Sequence, residues 1–302
     1  MTGQLPFTVI GGYLGAGKTT LLNHLLTQTQ GRRMAVLIND FGDVNIDASL
    51  IAEHDGETMS LANGCLCCSL VNGFAAAIHE VLRREDAFDH LVIEASGVAD
   101  PAKIAQYGQM YDLPLDCILV MVDAEQIRTQ ADNVYVGDTV LRQLQQADVL
   151  ILNKTDLIDP DSVAELKRWL SERAPKTPVL ETRHAKVPDE IVFGHPRESS
   201  PRNLMRHQAF HEGAFQSWTL RSSKPLTRSA IQQFAESLDE DIYRAKGFVY
   251  LKDDPARRYL YQQVGNRWSL TPGPAWEPSK EETVVVVIGR PRQNWAPSIF
   301  TG

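Results

Sequence analysis

The sequence predicts an α/β fold, a mostly parallel sheet covered by helices on both faces, followed by a smaller α+β domain. Three observations predict it. Apolar, β-branched runs alternate with helix-like segments up to about residue 180. Polar or glycine-bearing stretches sit at the carboxyl ends of those runs. Beyond residue 213 the order changes to several strands around one helix. At 302 residues and 43% hydrophobic content, the chain can bury a substantial core in two domains.

The first run, 7–11, reads as a buried strand and leads into Gly12-Tyr-Leu-Gly15-Ala16-Gly17-Lys18-Thr19-Thr20, with helix expected over 18–28. That spacing is the one a phosphate-binding P-loop requires. Backbone N–H groups converge on the anion and the helix dipole adds positive charge. Lys18 reaches the outer phosphates, and the Thr19 hydroxyl can ligate Mg²⁺. A glycine-rich turn with a chance lysine would lack the flanking strand and helix. The expected domain is therefore of the P-loop NTPase type.

A second strand at 34–38 runs into Asn39-Asp40-Phe41-Gly42-Asp43, where a nucleotide-sensing switch is expected. Asn63-Gly64-Cys65-Leu66-Cys67-Cys68 then carries three of the four cysteines of the chain. Thiolates are soft ligands suited to Zn²⁺ or Cu(I), and so few cysteines offer no disulfide framework. In an extended segment Cys65 and Cys67 face one side, while Cys68 points away or joins after a turn. A tetrahedral ion needs further ligands, with Asp43 preferred and Asp40 the alternative. Apolar packing or redox-active thiols are the competing explanations of the cluster.

Helix is expected over 70–84, then a strand at 90–94 that ends in Glu94 and is followed by Ala95-Ser96-Gly97. An acid at the end of a strand beside the P-loop strand is placed to hold Mg²⁺, and Gly97 can bring its N–H to a γ-phosphate. Helix 101–110 follows, then strand 116–122, in which Cys117 reads as a core residue. After helix 138–146, strand 148–152 ends in Asn153-Lys154-Thr155-Asp156, with helix over 161–171. This tetrad resembles the guanine-reading motif of P-loop GTPases, in which the carboxylate, here Asp156, accepts from guanine N1–H and the exocyclic amine. Adenine offers neither donor, and sites built on such contacts reject the wrong ligand by about 10⁴ or more.

The pattern fades from 181 to 212, which reads as a linker containing His184, His195, His207 and His211. His207 and His211 would share a face of a helix and could relay metal, but solvated linker histidines explain them better. From 213 to 302 a second domain is expected, with strand 215–220, helix 226–238 and strands 243–251, 258–264 and 283–288. Arg244, Lys246 and Trp268 suggest a client-binding or interdomain surface, or ordinary packing.

Taken in order, GGYLGAGKTT, NDFGDVNID, NGCLCC, IEASGVADP and NKTD, with Arg244-Ala-Lys-Gly247 later, resemble the CobW-type GTPases, relatives of HypB and UreG in the SIMIBI class. The resemblance runs from about Phe7 to Ile288. It implies a slow GTPase that delivers Zn²⁺ or a related transition metal such as Co²⁺ to a client metalloprotein. It assigns Gly12, Gly15, Ala16, Gly17, Lys18, Thr19 and Thr20 to phosphate and magnesium, and Asn153, Lys154 and Asp156 to guanine. Glu94 falls to the magnesium region, with Gly97 beside it, and Cys65, Cys67 and Asp43 to the metal. Asp40 and Asp43 are also candidates to position the attacking water. Members commonly carry Glu where this chain has Asp40 and Asp43, and some carry an acid in place of Ile38. An insertion chaperone for a nitrile hydratase or cobalamin-pathway enzyme is the alternative, and a metabolic kinase with an accidental NKTD a third.

A formal net charge of −8 argues against a nucleic-acid partner. No stretch suits a bilayer span or a signal peptide, so cytoplasmic residence with reduced thiols is expected; a homodimer is allowed.

Overall fold

A computed structural model describes residues 5–28, 33–39, 58–61, 71–84, 88–193, 215–276, 281–293, 295 and 297–300. Asp40, Asp43, Cys65, Cys67, Cys68, His195, His207 and His211 lie outside the described residues.

The chain divides into two compact units, the first reaching Phe193 and the second spanning Gly194 onward together with Lys176–Pro178. Among the described residues the first holds seven parallel strands: β1 (Phe7–Gly12), β2 (Met34–Asn39), β3 (Thr58–Leu61), β4 (His90–Glu94), β5 (Leu115–Asp123), β6 (Val149–Asn153) and β7 (Val179–Glu181). They are ordered β3-β2-β4-β1-β5-β6-β7. Every residue of β1, β4 and β6 is buried, because helices cover both faces of a parallel sheet and select unbroken apolar runs such as VLIL. Between the strands run α1 (Lys18–Gln28), α2 (Val71–Arg83), α3 (Pro101–Gln109), α4 (Ile127–Ala131), α5 (Gly137–Gln145) and α6 (Pro160–Arg173), with α7 (Asp189–Phe193) last. On α1, Leu21, Leu22 and Leu25 form the buried stripe. Asp100 caps α3, accepting from the Ala102 and Lys103 amides, with Pro101 in the first helical position. Cys117 is fully buried in β5, as a core residue.

Strand β1 lies between β4 and β5, and the chain passes from one side of it to the other. Such a reversal opens a crevice at the carboxyl ends. Register aligns those ends: Ile10 stands beside Glu94, Gly12 beside Met121 and Asp123 beside Asn153.

The second unit is an antiparallel sheet of β8 (Gln216–Ser222), β9 (Ile242–Tyr250), β10 (Arg257–Val264), β11 (Arg267–Ala275) and β12 (Thr283–Gly289), ordered β11-β10-β9-β12-β8, with α8 (Arg228–Ser237). Ile231 and Phe234 of α8 pack on Leu220, Tyr261, Val285 and Val287. Burial pushes the Tyr261 hydroxyl far above the ordinary tyrosine range, and it donates to Gln263 Oε1.

Two readings of the sequence are corrected, and a third is decided between its alternatives. Residues 181–193 belong to the first unit and not to a linker: Val187, Ile191, Val192 and Phe193 are buried there. The chain forms β11 despite Pro272 and Pro274, since an edge strand needs ladder hydrogen bonds on one side only. Of the two explanations of Arg244, its burial, with 1% exposed, favours packing over a client-binding surface.

Candidate functional site

The turn leaving β1 is built by backbone conformations that side chains oppose. Gly12 has φ +127°, and a Cβ there would collide with the Met121 carbonyl of β5. Gly17 has φ +105°, and its Cβ would come within 2.5 Å of Asn153 Nδ2. The turn is thereby pressed against β5 and β6, with its amides left to form a concave nest at the start of α1. Gly15 and Thr20 stand on the exposed side, and Ala16 is buried. Lys18 is 7% exposed, and its ammonium donates to the Tyr13 carbonyl at 3.2 Å within the same turn.

Thr19 Oγ1 donates to Glu94 Oε1 at 3.2 Å. A hydroxyl and a carboxylate oxygen this close form a hard-donor set suited to Mg²⁺. Beyond Glu94, the Ser96 hydroxyl is buried and makes no hydrogen bond among the described residues, a polar atom fit to meet a ligand group. A Cβ on Gly97 would lie 2.8 Å from the Leu14 amide nitrogen, so this loop rests on the phosphate turn with no room for a larger residue.

Asn153 is the keystone of the other wall. Its Nδ2 donates to the Ala16 carbonyl at 3.0 Å, and its Oδ1 accepts from the Ala185 amide at 2.8 Å. One side chain thus joins the phosphate turn to the loop after β7. In that loop His184 and Ala185 have φ of +53° and +54°, and the His184 carbonyl meets His24 Nε2 of α1 at 2.8 Å. The left-handed Lys154 turns its ammonium onto Asp123, 2.6 Å away and 4% exposed. That pair leaves Asp156 at the exposed rim, on the short turn Thr155–Leu157, where a planar base can reach it.

The structure therefore gathers Gly12–Thr20, Glu94, Gly97 and Asn153–Asp156 around one crevice. The acids after β2 and the cysteine cluster lie outside the described residues. Sequence reasoning missed Asp123, Ala185 and Gln143, whose side-chain amide donates to the Gly97 and Ala99 carbonyls. Asp123 carried the same signal as Glu94, an acid ending a buried strand. Gln143 lies on the apolar face of α5 between Val140 and Leu144, and a polar residue at such a position was the available clue. Ala185 gave no signal, since nothing in an alanine announces a positive φ.

Residues 6–181 match the family described as CobW/HypB/UreG, nucleotide-binding domain, and residues 215–296 match the cobalamin synthesis protein CobW C-terminal domain. The zinc chaperone CobW of a Sinorhizobium species is 30% identical, covering 95% of this chain and 93% of its own. The zinc-regulated GTPase metalloprotein activator 1 of Schizosaccharomyces pombe is 33% identical, over 89% of this chain and 77% of its own. The Escherichia coli zinc chaperone YjiA is 29% identical, over 94% of each chain.

Proposed function

Because the chain belongs to the CobW/HypB/UreG family, we propose that it hydrolyses GTP to GDP and phosphate and carries Zn²⁺, held at the Cys65–Cys68 cluster, to a client protein. The observation that carries the nucleotide half is Asn153, whose two hydrogen bonds tie the phosphate turn to the loop after β7, three residues before the exposed carboxylate of Asp156. The zinc half is supported by the thiolate cluster in the sequence and by relatives described as zinc chaperones.

In this reading Lys18 leaves the Tyr13 carbonyl for the outer phosphates, and the nest of amides holds the rest of the chain of phosphates. Mg²⁺ would be held by Thr19 and Glu94 and would supply neutralisation of phosphate charge. The Gly97 N–H approaches the γ-phosphate, and Asp40 or Asp43 orients water. Asp156 accepts from guanine. The thiolates of Cys65 and Cys67 and the carboxylate of Asp43 hold the cargo ion, with Cys68 available to it. Because Asp40 and Asp43 directly follow β2, hydrolysis and metal release share one segment of chain.

The relative described in fission yeast as a metalloprotein activator prompts a second reading, in which GTP governs docking of this chain on a metalloenzyme and no ion is handed over. Zinc titrations of the GTP-analogue and GDP complexes separate the two. The carrier reading expects tighter zinc binding in one complex and loss of that zinc in Cys67→Ala. Equal affinities, or full zinc content in Cys67→Ala, would refute it.

A further inference from the structure

We propose that Gln143, a residue of α5 more than forty positions along the chain from the loop after Glu94, is the positioning residue that sets that loop in its phosphate-reading shape. This rests on the GTPase reading for its consequence, though not for its geometry.

Gln143 is 2% exposed. Its single amide nitrogen donates to two carbonyls of that loop, Gly97 at 3.1 Å and Ala99 at 2.8 Å. Both hydrogens of the side-chain amide are thus committed to one stretch of backbone three residues long. A trans peptide points its C=O and N–H in opposite directions, so fixing the Gly97 carbonyl toward α5 fixes the Val98 N–H facing away from it. The Ala99 carbonyl is fixed in the same way. Between them, the Ala99 amide closes a turn onto the Ser96 carbonyl at 2.9 Å.

The remaining sides of the loop are also occupied. Leu14 of the phosphate turn blocks Gly97 from one direction. Pro101 packs against Gly11 of β1, where a Cβ would come within 3.1 Å of it. Asp100 binds the first amides of α3, and Gln146 Oε1 lies 3.4 Å from the Ala102 amide. The loop therefore has fixed ends at Glu94 and Asp100, and Gln143 is the side chain that fixes its middle. The Gly97 N–H belongs to the Ser96–Gly97 peptide, which the Ala99 amide holds through the Ser96 carbonyl, and that turn keeps its shape while Gln143 holds the Gly97 and Ala99 carbonyls. Pre-organisation of those peptide planes is what an electrostatic site requires. Gln143 supplies it from outside the crevice, without touching nucleotide, and so acts as a positioning residue.

Two substitutions test this. Gln143→Met keeps length and packing but removes both donors, and Gln143→Glu keeps shape but sets acceptor oxygens against two carbonyls. Hydrogen exchange of the nucleotide-free protein, read on fragments covering residues 95–100, should accelerate about tenfold in both, the scale set by losing such hydrogen bonds. The kcat for GTP hydrolysis should fall about tenfold while GDP affinity stays within about twofold, since GDP has no γ-phosphate for Gly97 to read. Unchanged exchange in Gln143→Met would overturn the proposal, and so would a wild-type kcat alongside a loosened loop. If the wild-type protein turned over no GTP while the loop loosened in the variants, the GTPase reading would fall and the clamp would stand.

Discussion

In the proposed function Asp156 decides which base the crevice accepts, because a carboxylate offers two acceptors and guanine answers with two donors. Its placement is assisted by Lys154, whose left-handed backbone and ion pair with Asp123 turn the chain so that the next acid lies at the rim. Replacing Asp156 by Asn exchanges one acceptor for an N–H donor, which now faces the guanine amine. Xanthine carries a carbonyl at that position and accepts the new donor. The Asp156→Asn protein should therefore bind GDP at least about 100-fold more weakly and prefer the xanthosine nucleotide, as measured by competition binding, because a charge-assisted pair is lost and a donor–donor clash replaces it. An unaltered preference for guanine would show that Asp156 does not read the base. At this scale much was legible in the sequence: the glycines, Lys18, Thr19 and Asp156 are residue types that the chemistry requires at fixed spacings. Asn153 was legible as a member of the tetrad, but its bridge to Ala185 was not, since that partner is a backbone amide supplied by a loop expected to be linker.

At the scale of elements, the cap of α3 shows how one residue serves both a helix and the site. Asp100 accepts from Ala102 and Lys103 and so starts α3 where the loop containing Gly97 ends. Loss of such a cap costs about 1 kcal/mol, and for a domain of this size that lowers the melting temperature by about 2–4 °C. Asp100→Ala should show that decrease in calorimetry, whereas Asp100→Asn, which keeps an acceptor, should recover most of it. A melting temperature unchanged by Asp100→Ala would mean that the helix start is fixed by Pro101 packing alone. The parallel strands were readable because burial on both faces leaves long apolar runs, and helix starts were readable from Asp-Pro pairs. The short strands β3 and β7 were not, having four and three residues to carry a pattern. Strand β11 was hidden by its prolines, whose missing N–H groups are harmless only once the strand is known to lie at an edge.

For the molecule as a whole, the first unit is completed by residues that sequence patterning assigns to no element. Ala185 puts its amide on Asn153, and the Val192 carbonyl accepts from Thr8 in the middle of β1 at 3.2 Å. The Phe193 ring packs edge-on against His90 of β4, with centroids 4.9 Å apart. With Val187 and Ile191 also buried, this tail inserts four large apolar side chains among the strands that support the phosphate turn. At about 1.5–3 kcal/mol for each, the tail is worth an appreciable share of the 5–15 kcal/mol that typically holds a domain together. A fragment ending at Phe193 should therefore fold cooperatively and bind GDP, whereas one ending at Glu181 should unfold at much lower denaturant concentration and bind GDP weakly or not at all. Chemical denaturation and GDP titration of the two fragments make the comparison. The match to the nucleotide-binding family ends at residue 181, so the difference between the fragments isolates what the residues after it contribute. Coincident denaturation curves would mean that the sheet and its phosphate turn stand without the tail, and that the bridge from Asn153 to Ala185 is an accessory of the fold with no part in holding the base-side wall in place.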